Sequence, residues 1–176
     1  MVKDEWSTPQ AAIEAAAKEA SRRQLRILIG TTANELQAFI QPKNEVDVNT
    51  MRRLQYERYD EPDNRFAILA AQGGCPVWKY RFTWEAPESL FGSCHTLELP
   101  FVFVTLAAWT QAPMLKGATL EEMRGLSESM QRDWCRFFHT GDFDECDWPR
   151  FSESNGIHKI YDNLGNDCQS LRIVKP

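Results

Sequence analysis

Six consecutive residues, Leu25-Arg26-Ile27-Leu28-Ile29-Gly30, restrict the architecture of this chain more than any others. Apolar side chains fill adjacent positions instead of alternating, and a glycine closes the run. A helix would need roughly 10–12 residues to hold its place, so a run this short reads as a parallel strand buried on both faces. Such a strand wants neighbours along both edges, because an open edge beside apolar side chains is a template for association. The preceding residues 10–24 are alanine-rich and charged, with no breaker, and are expected to be helical. Thr8 and Pro9 suit the start of that helix: a threonine can accept from free backbone N–H groups, and proline belongs at the first helical position. Helix followed by buried strand points to an α/β sheet.

Further along, residues 41–64 are polar and carry Pro42 and Pro62, so only a weak helix is expected around residues 51–59, between loops. Residues 66–72 form a short apolar helical segment stopped by Gly73-Gly74. In Val77-Trp78-Lys79-Tyr80-Arg81-Phe82-Thr83-Trp84 the aromatics recur at every second position, the pattern of a strand with one aromatic face. Thr119-Leu120-Glu121-Glu122 is a capping box, and Met123, Leu126, Met130, Trp134, Phe137 and Phe138 follow it at helical spacing together with Leu120. Gly141 ends this helix.

The 176 residues suffice for one domain with a sizeable core. A net charge of −5 without a basic stripe argues against nucleic-acid binding. No apolar run approaches the ~20 residues of a membrane span. The acidic start, Met1-Val2-Lys3-Asp4-Glu5, lacks the apolar core of a signal peptide. Five scattered cysteines without Cys-x-x-Cys spacing favour reduced thiols, and with the acidic start they give a cytoplasmic expectation.

Chemistry concentrates in Phe91-Gly92-Ser93-Cys94-His95-Thr96-Leu97-Glu98-Leu99-Pro100-Phe101-Val102-Phe103. One histidine sits in a Gly-Ser-Cys lead-in, followed by a single buried-looking acid, Glu98. The stretch closely resembles the histidine loop of the type B carboxylesterases, the serine hydrolases that include cholinesterases and para-nitrobenzyl esterases. Leu28-Ile29-Gly30-Thr31-Thr32-Ala33-Asn34-Glu35 is similar to that family's acid-bearing segment. The strand from Pro76 to Phe82 resembles the one before the family's histidine loop, and Met130-Gln131-Arg132-Asp133-Trp134 through Thr140-Gly141-Asp142 resembles its late helix. Trp148-Pro149 and Lys159-Ile160-Tyr161-Asp162 match its closing stretch less specifically. The resemblance implies one partial α/β-hydrolase domain over residues 1–176: the last strands and flanking helices of an incomplete sheet, covering roughly the family's last third. Residues 41–64 look shortened against it. It also implies that His95 is the base and Glu35 the acid that orients it. Both follow predicted strands, and the acid precedes the histidine as in α/β-hydrolases. Carboxylic esters would be the substrate of the complete enzyme, and no cofactor or metal is implied.

The nucleophile is missing. Gly-x-Ser-x-Gly occurs nowhere in the sequence, and neither does a glycine-rich oxyanion loop. Gly125-Leu126-Ser127-Glu128-Ser129 lacks the second glycine and lies inside the long helix, after the histidine. The chain alone is therefore expected to be inactive and marginally stable, associating with itself or with a complementing N-terminal segment. An alternative is a non-catalytic, cholinesterase-like interaction module. A third reading makes Cys94 or Ser93 an unrecognised nucleophile. Cys135 and His139, four apart on the long helix, are too few ligands for zinc, and His158 in a polar loop carries no signal. Where the family has glycine after Phe-Val-Phe this chain has Val104. A β-branched residue resists positive φ, so the backbone there is expected to differ.

Overall fold

The computed structural model describes residues 9–40, 47–163 and 168–170. Thr8 and Pro42 lie outside them. Pro9 stands at the first position of α1 (Pro9–Arg22), which leads into β1 (Ile27–Thr32). A 3₁₀ turn at Glu35–Ala38 follows, then α2 (Val48–Gln55), a π-helical turn at Tyr56–Asp60 and α3 (Glu61–Gln72). β2 (Val77–Phe82) precedes two single-turn helices, α4 (Leu99–Val102) and α5 (Leu106–Trp109). The chain continues through α6 (Leu120–Thr140), β3 (Ile157–Tyr161) and β4 (Cys168–Ser170).

The four strands form one mixed sheet in the order β1-β2-β3-β4, parallel across the first two pairs and antiparallel across the third. Helices α1 and α3 pack together on one face, and α4 and α6 cover the other. Trp78 and Phe82 turn into the larger core with Phe101, Met123, Met130, Trp148 and Tyr161. At ~25 cal/mol per Å² of buried apolar surface, such aromatics dominate the stabilisation of the fold. Two indoles also satisfy their N–H groups in the core: Trp78 donates to the Trp148 carbonyl and Trp148 to that of Lys79, each at 3.2 Å.

Residues 48–72 correct the expectation of a weak helix between loops. They form one continuous helical run in which the Glu61 N–H reaches back five residues to the Tyr56 carbonyl. Pro62 is the physical reason. It has no N–H for an ordinary helical bond and its ring crowds the carbonyl four residues before it, so the chain widens by one residue instead of breaking. β1 is half-buried rather than covered on both faces. It lies at the end of the sheet, and its outer edge has no strand partner among the described residues. β2 is buried on both faces, because α3 covers the side that carries Val77 and Lys79.

The capping box closes as expected: Thr119 Oγ1 accepts from the Glu122 N–H, and the Glu122 carboxylate accepts from Thr119. Gly141 terminates α6 at φ +64°, where a side chain would also run into Arg26. Phe138 departs from the expected apolar stripe and faces solvent, being one helical step of about 100° beyond Phe137.

His158 is not in a loop. It lies buried in β3, edge-on to Phe151, with Nδ1 at 2.9 Å from the Gly156 carbonyl. Burial, reinforced by the charge of Lys79, holds it down at about 4, against an ordinary histidine value of 6.5. A group whose folded value is depressed leaves stability intact above its unfolded value and removes it as pH falls towards the folded one. Urea unfolding is therefore expected to lose about 2–3 kcal/mol between pH 7 and pH 4.5 through this histidine alone. His158→Asn, which keeps a donor for Gly156, should lose that much less over the same interval.

Candidate active site

Glu35 and His95 are sixty residues apart, yet Glu35 Oε2 lies 2.6 Å from His95 Nδ1. Parallel pairing makes this contact. β1 and β2 run side by side, so the chain leaving each strand emerges at the same carboxyl end of the sheet, where α/β proteins collect their reactive groups. The two loops are then stitched together. The Asn34 N–H donates to the Ser93 carbonyl at 2.9 Å, and the Ser93 N–H donates to Asn34 Oδ1 at 3.2 Å. Gly92 permits this approach: it holds φ +53°, and a Cβ would stand 2.6 Å from Gln37 Oε1 and 2.7 Å from Asn34 Oδ1.

The carboxylate is buried and the imidazole is not. Glu35 is 5% exposed, whereas the His95 side chain is 43% exposed. Glu35 Oε1 accepts from the Thr32 N–H at 2.7 Å, so both carboxylate oxygens are engaged. The imidazole must supply a proton to an acceptor carboxylate, which places N–H at Nδ1 and leaves Nε2 as the basic nitrogen. Charge-assisted bonds of this kind strengthen where water is excluded. Phe39 and Tyr59 flank the ring at 5.4 and 6.0 Å between centroids.

Glu98 sits in the same loop with Oε2 buried and without a hydrogen-bond partner among the described residues. Burial, with the negative charge of Glu35 nearby, pushes its carboxyl up. Neither alternative nucleophile is available. Cys94 is fully buried with its thiol pushed up by burial, and Ser93 is buried with its hydroxyl donating to the Trp84 carbonyl at 2.7 Å. Cys135 and His139 are exposed, and His139 Nδ1 donates to the Cys135 carbonyl at 2.7 Å. No group of three or more His, Cys, Asp or Glu poised for a metal occurs among the described residues, and none of their helices is long and apolar enough to cross a membrane.

Two β-branched residues after His95 lie in the left-handed region: Thr96 at φ +67° and Val104 at φ +58°. The expectation for Val104 is thus overturned. Its backbone takes the conformation that favours glycine, because the end of α4 closes by a bond from the Thr105 N–H to the Pro100 carbonyl, and that geometry demands positive φ whatever the side chain. Val104 is 67% exposed and forfeits little packing if removed. Val104→Gly should therefore raise the urea midpoint, by about 1 kcal/mol of stability, once glycine's extra backbone entropy is set against the relieved strain.

Sequence reasoning missed Asn34, Phe39 and Tyr59. Asn34 precedes the acid directly and Phe39 follows it by one turn, so both were open to a local reading. Tyr59 was not, because the register of its helix depends on the π turn.

A mainly parallel four-stranded sheet with helices on both faces, and a glutamate–histidine pair on adjacent loops at its carboxyl end, define the C-terminal part of an α/β-hydrolase fold. No protein-family model matches the sequence. It is 32% identical over 146 residues to "Probable N-octanoylanthranilate hydrolase AqdA2" of Rhodococcus erythropolis, covering 76% of this chain and 32% of that protein. To the para-nitrobenzyl esterase of Bacillus subtilis it is 30% identical over 159 residues, covering 86% and 31%. A solved thermophilic PNB esterase superposes with a TM-score of 0.71 at 26% identity, covering 92% of this chain and 38% of its own. The chain belongs to the type B carboxylesterases and corresponds to their C-terminal portion. It spans about a third of the length of the curated relatives it matches.

Proposed function

We propose that this chain carries the acid and the base of a serine ester hydrolase, Glu35 and His95, and acts on a carboxylic ester only when another polypeptide segment brings the nucleophile and the oxyanion donors. The observation that carries this reading is the 2.6 Å contact between a buried carboxylate and a half-exposed imidazole. Such a pair takes a proton from a serine hydroxyl through Nε2 and returns it to the leaving alcohol, while Glu35 stabilises the imidazolium between the two steps. Nothing in the 176 residues offers that hydroxyl on a nucleophile elbow. The outer edge of β1, which has no strand partner among the described residues, supports a complementing N-terminal segment as the partner, or a second copy of the chain in its absence. A purely adhesive module would have no need of a desolvated acid aimed at a histidine.

The test is turnover of a p-nitrophenyl ester. The chain alone should show none, and a fluorophosphonate should label no serine in it. Co-expression with the N-terminal portion of a para-nitrobenzyl esterase should restore both. Serine labelling and turnover by the purified chain alone would refute the proposal.

A further inference from the structure

We propose that Tyr59 is a positioning residue for His95, delivered to the imidazole by the π turn of the α2–α3 helix. Its ring lies 6.0 Å from the His95 ring, tilted by 48°, close to the 5.4 Å and 43° of Phe39. The imidazole thus has two aromatic neighbours, one ring from the loop that carries Glu35 and one from a helix that carries neither Glu35 nor His95.

Pro62 sets the register of this helix. An extra residue in the turn at Tyr56–Asp60 rotates everything before it relative to α3 by about one helical step of 100°. Wide turns of this kind recur at functional sites, where a side chain must leave the regular helical register. Here the turn is tied to the sheet by the very next residue. Asp60 is buried and accepts from Arg81 Nη1 at 2.6 Å and from Gln55 Nε2 at 3.0 Å. Arg81 stands on β2 and also donates to Thr31 on β1. Tyr59 therefore hangs from an anchor fixed to the same two strands that deliver Glu35 and His95. Burial, followed by the negative charge of Glu35, pushes the Tyr59 phenol up, so its ring meets the pair as a neutral group. An aromatic contact on an otherwise half-exposed imidazole restricts its swing and favours the orientation in which Nδ1 faces Glu35.

The inference rests on the reading of His95 as a base held by Glu35, and ring-nitrogen NMR of the intact chain separates the two. In the unmodified protein the Nδ1–H tautomer should predominate. Tyr59→Ala should move the tautomer ratio towards Nε2–H by up to roughly tenfold, the scale of one lost aromatic contact. Tyr59→Phe should restore it. If the alanine variant does not fold, Tyr59→Leu, which retains apolar volume without an aromatic face, gives the same readout. A predominant Nε2–H form in the unmodified chain would overturn the Glu35–His95 reading itself. An unchanged ratio in the alanine or leucine variant, or a phenylalanine variant as impaired as alanine, would overturn the role of the Tyr59 ring alone.

Discussion

In an enzyme reconstituted from this chain and a nucleophile-bearing N-terminal portion, Glu35→Gln is expected to lower kcat by about 10,000-fold, with KM changed by no more than about twofold. The reason lies in which way the new amide must face. Oε1 of Glu35 accepts from the Thr32 N–H at 2.7 Å, and that donor is part of the backbone at the end of β1. A glutamine has one acceptor and one donor group where the carboxylate had two acceptors. Its carbonyl must stay on the Thr32 N–H, which turns its NH₂ towards His95 Nδ1. Nδ1 then has to be the acceptor, the ring proton moves to Nε2, and the nitrogen facing the serine can no longer take a proton. Size and burial barely change, so the loss falls on the chemical step and not on folding. His95→Ala removes the base entirely and should cost about a million-fold, and the double variant should be no worse, because the two act as one unit. Steady-state hydrolysis of a p-nitrophenyl ester measures all three. A loss of less than tenfold in the glutamine variant would mean that Glu35 only packs beside the histidine.

The parts of this arrangement that were legible in the sequence are those encoded by neighbours. The capping box at Thr119 and Glu122, the aromatic face of β2 and the glycine end of α6 each depend on residues within one or two turns. The pairing of Glu35 with His95 was legible through the family resemblance of the segments around them. What escaped depends on residues far apart in the chain. Pro62 looked like a helix breaker, and instead it widens the helix into a π turn whose Asp60 reaches Arg81 on β2. His158 looked like a loop residue because its neighbours Asn155 and Gly156 favour turns, while pairing with β2 and β4 draws it into the sheet. Val104 shows the converse failure. A local rule about β-branched residues was sound, and the closing bond of α4 overrode it.

Lys79 follows the same logic with larger consequences. It is fully buried on β2, with Nζ 2.7 Å from Asp63 and 3.1 Å from Asn64 Oδ1 on α3. Lys79→Met is expected to destabilise the chain by about 3–5 kcal/mol, because it strands the Asp63 charge in an apolar layer. Urea unfolding at pH 7 would read this directly. The pair itself is not a source of great stability. Burial pushes the Asp63 carboxyl up and the Lys79 ammonium down, so in both groups desolvation outweighs mutual attraction. Asp63 Oδ1, moreover, is buried with no hydrogen-bond partner among the described residues. Two consequences separate this account from a simple loss of packing. In the Lys79→Met variant the lone Asp63 carboxyl has a folded value raised above its unfolded one. The variant's deficit should therefore shrink at acid pH, where the carboxyl is protonated in both states, and grow as pH rises. Replacing both partners, Lys79→Met with Asp63→Leu, should return stability to within about 1 kcal/mol of the unmodified chain or above it, since no charge is left to desolvate. A double variant as unstable as the single one would show that the loss does not come from a stranded Asp63 charge.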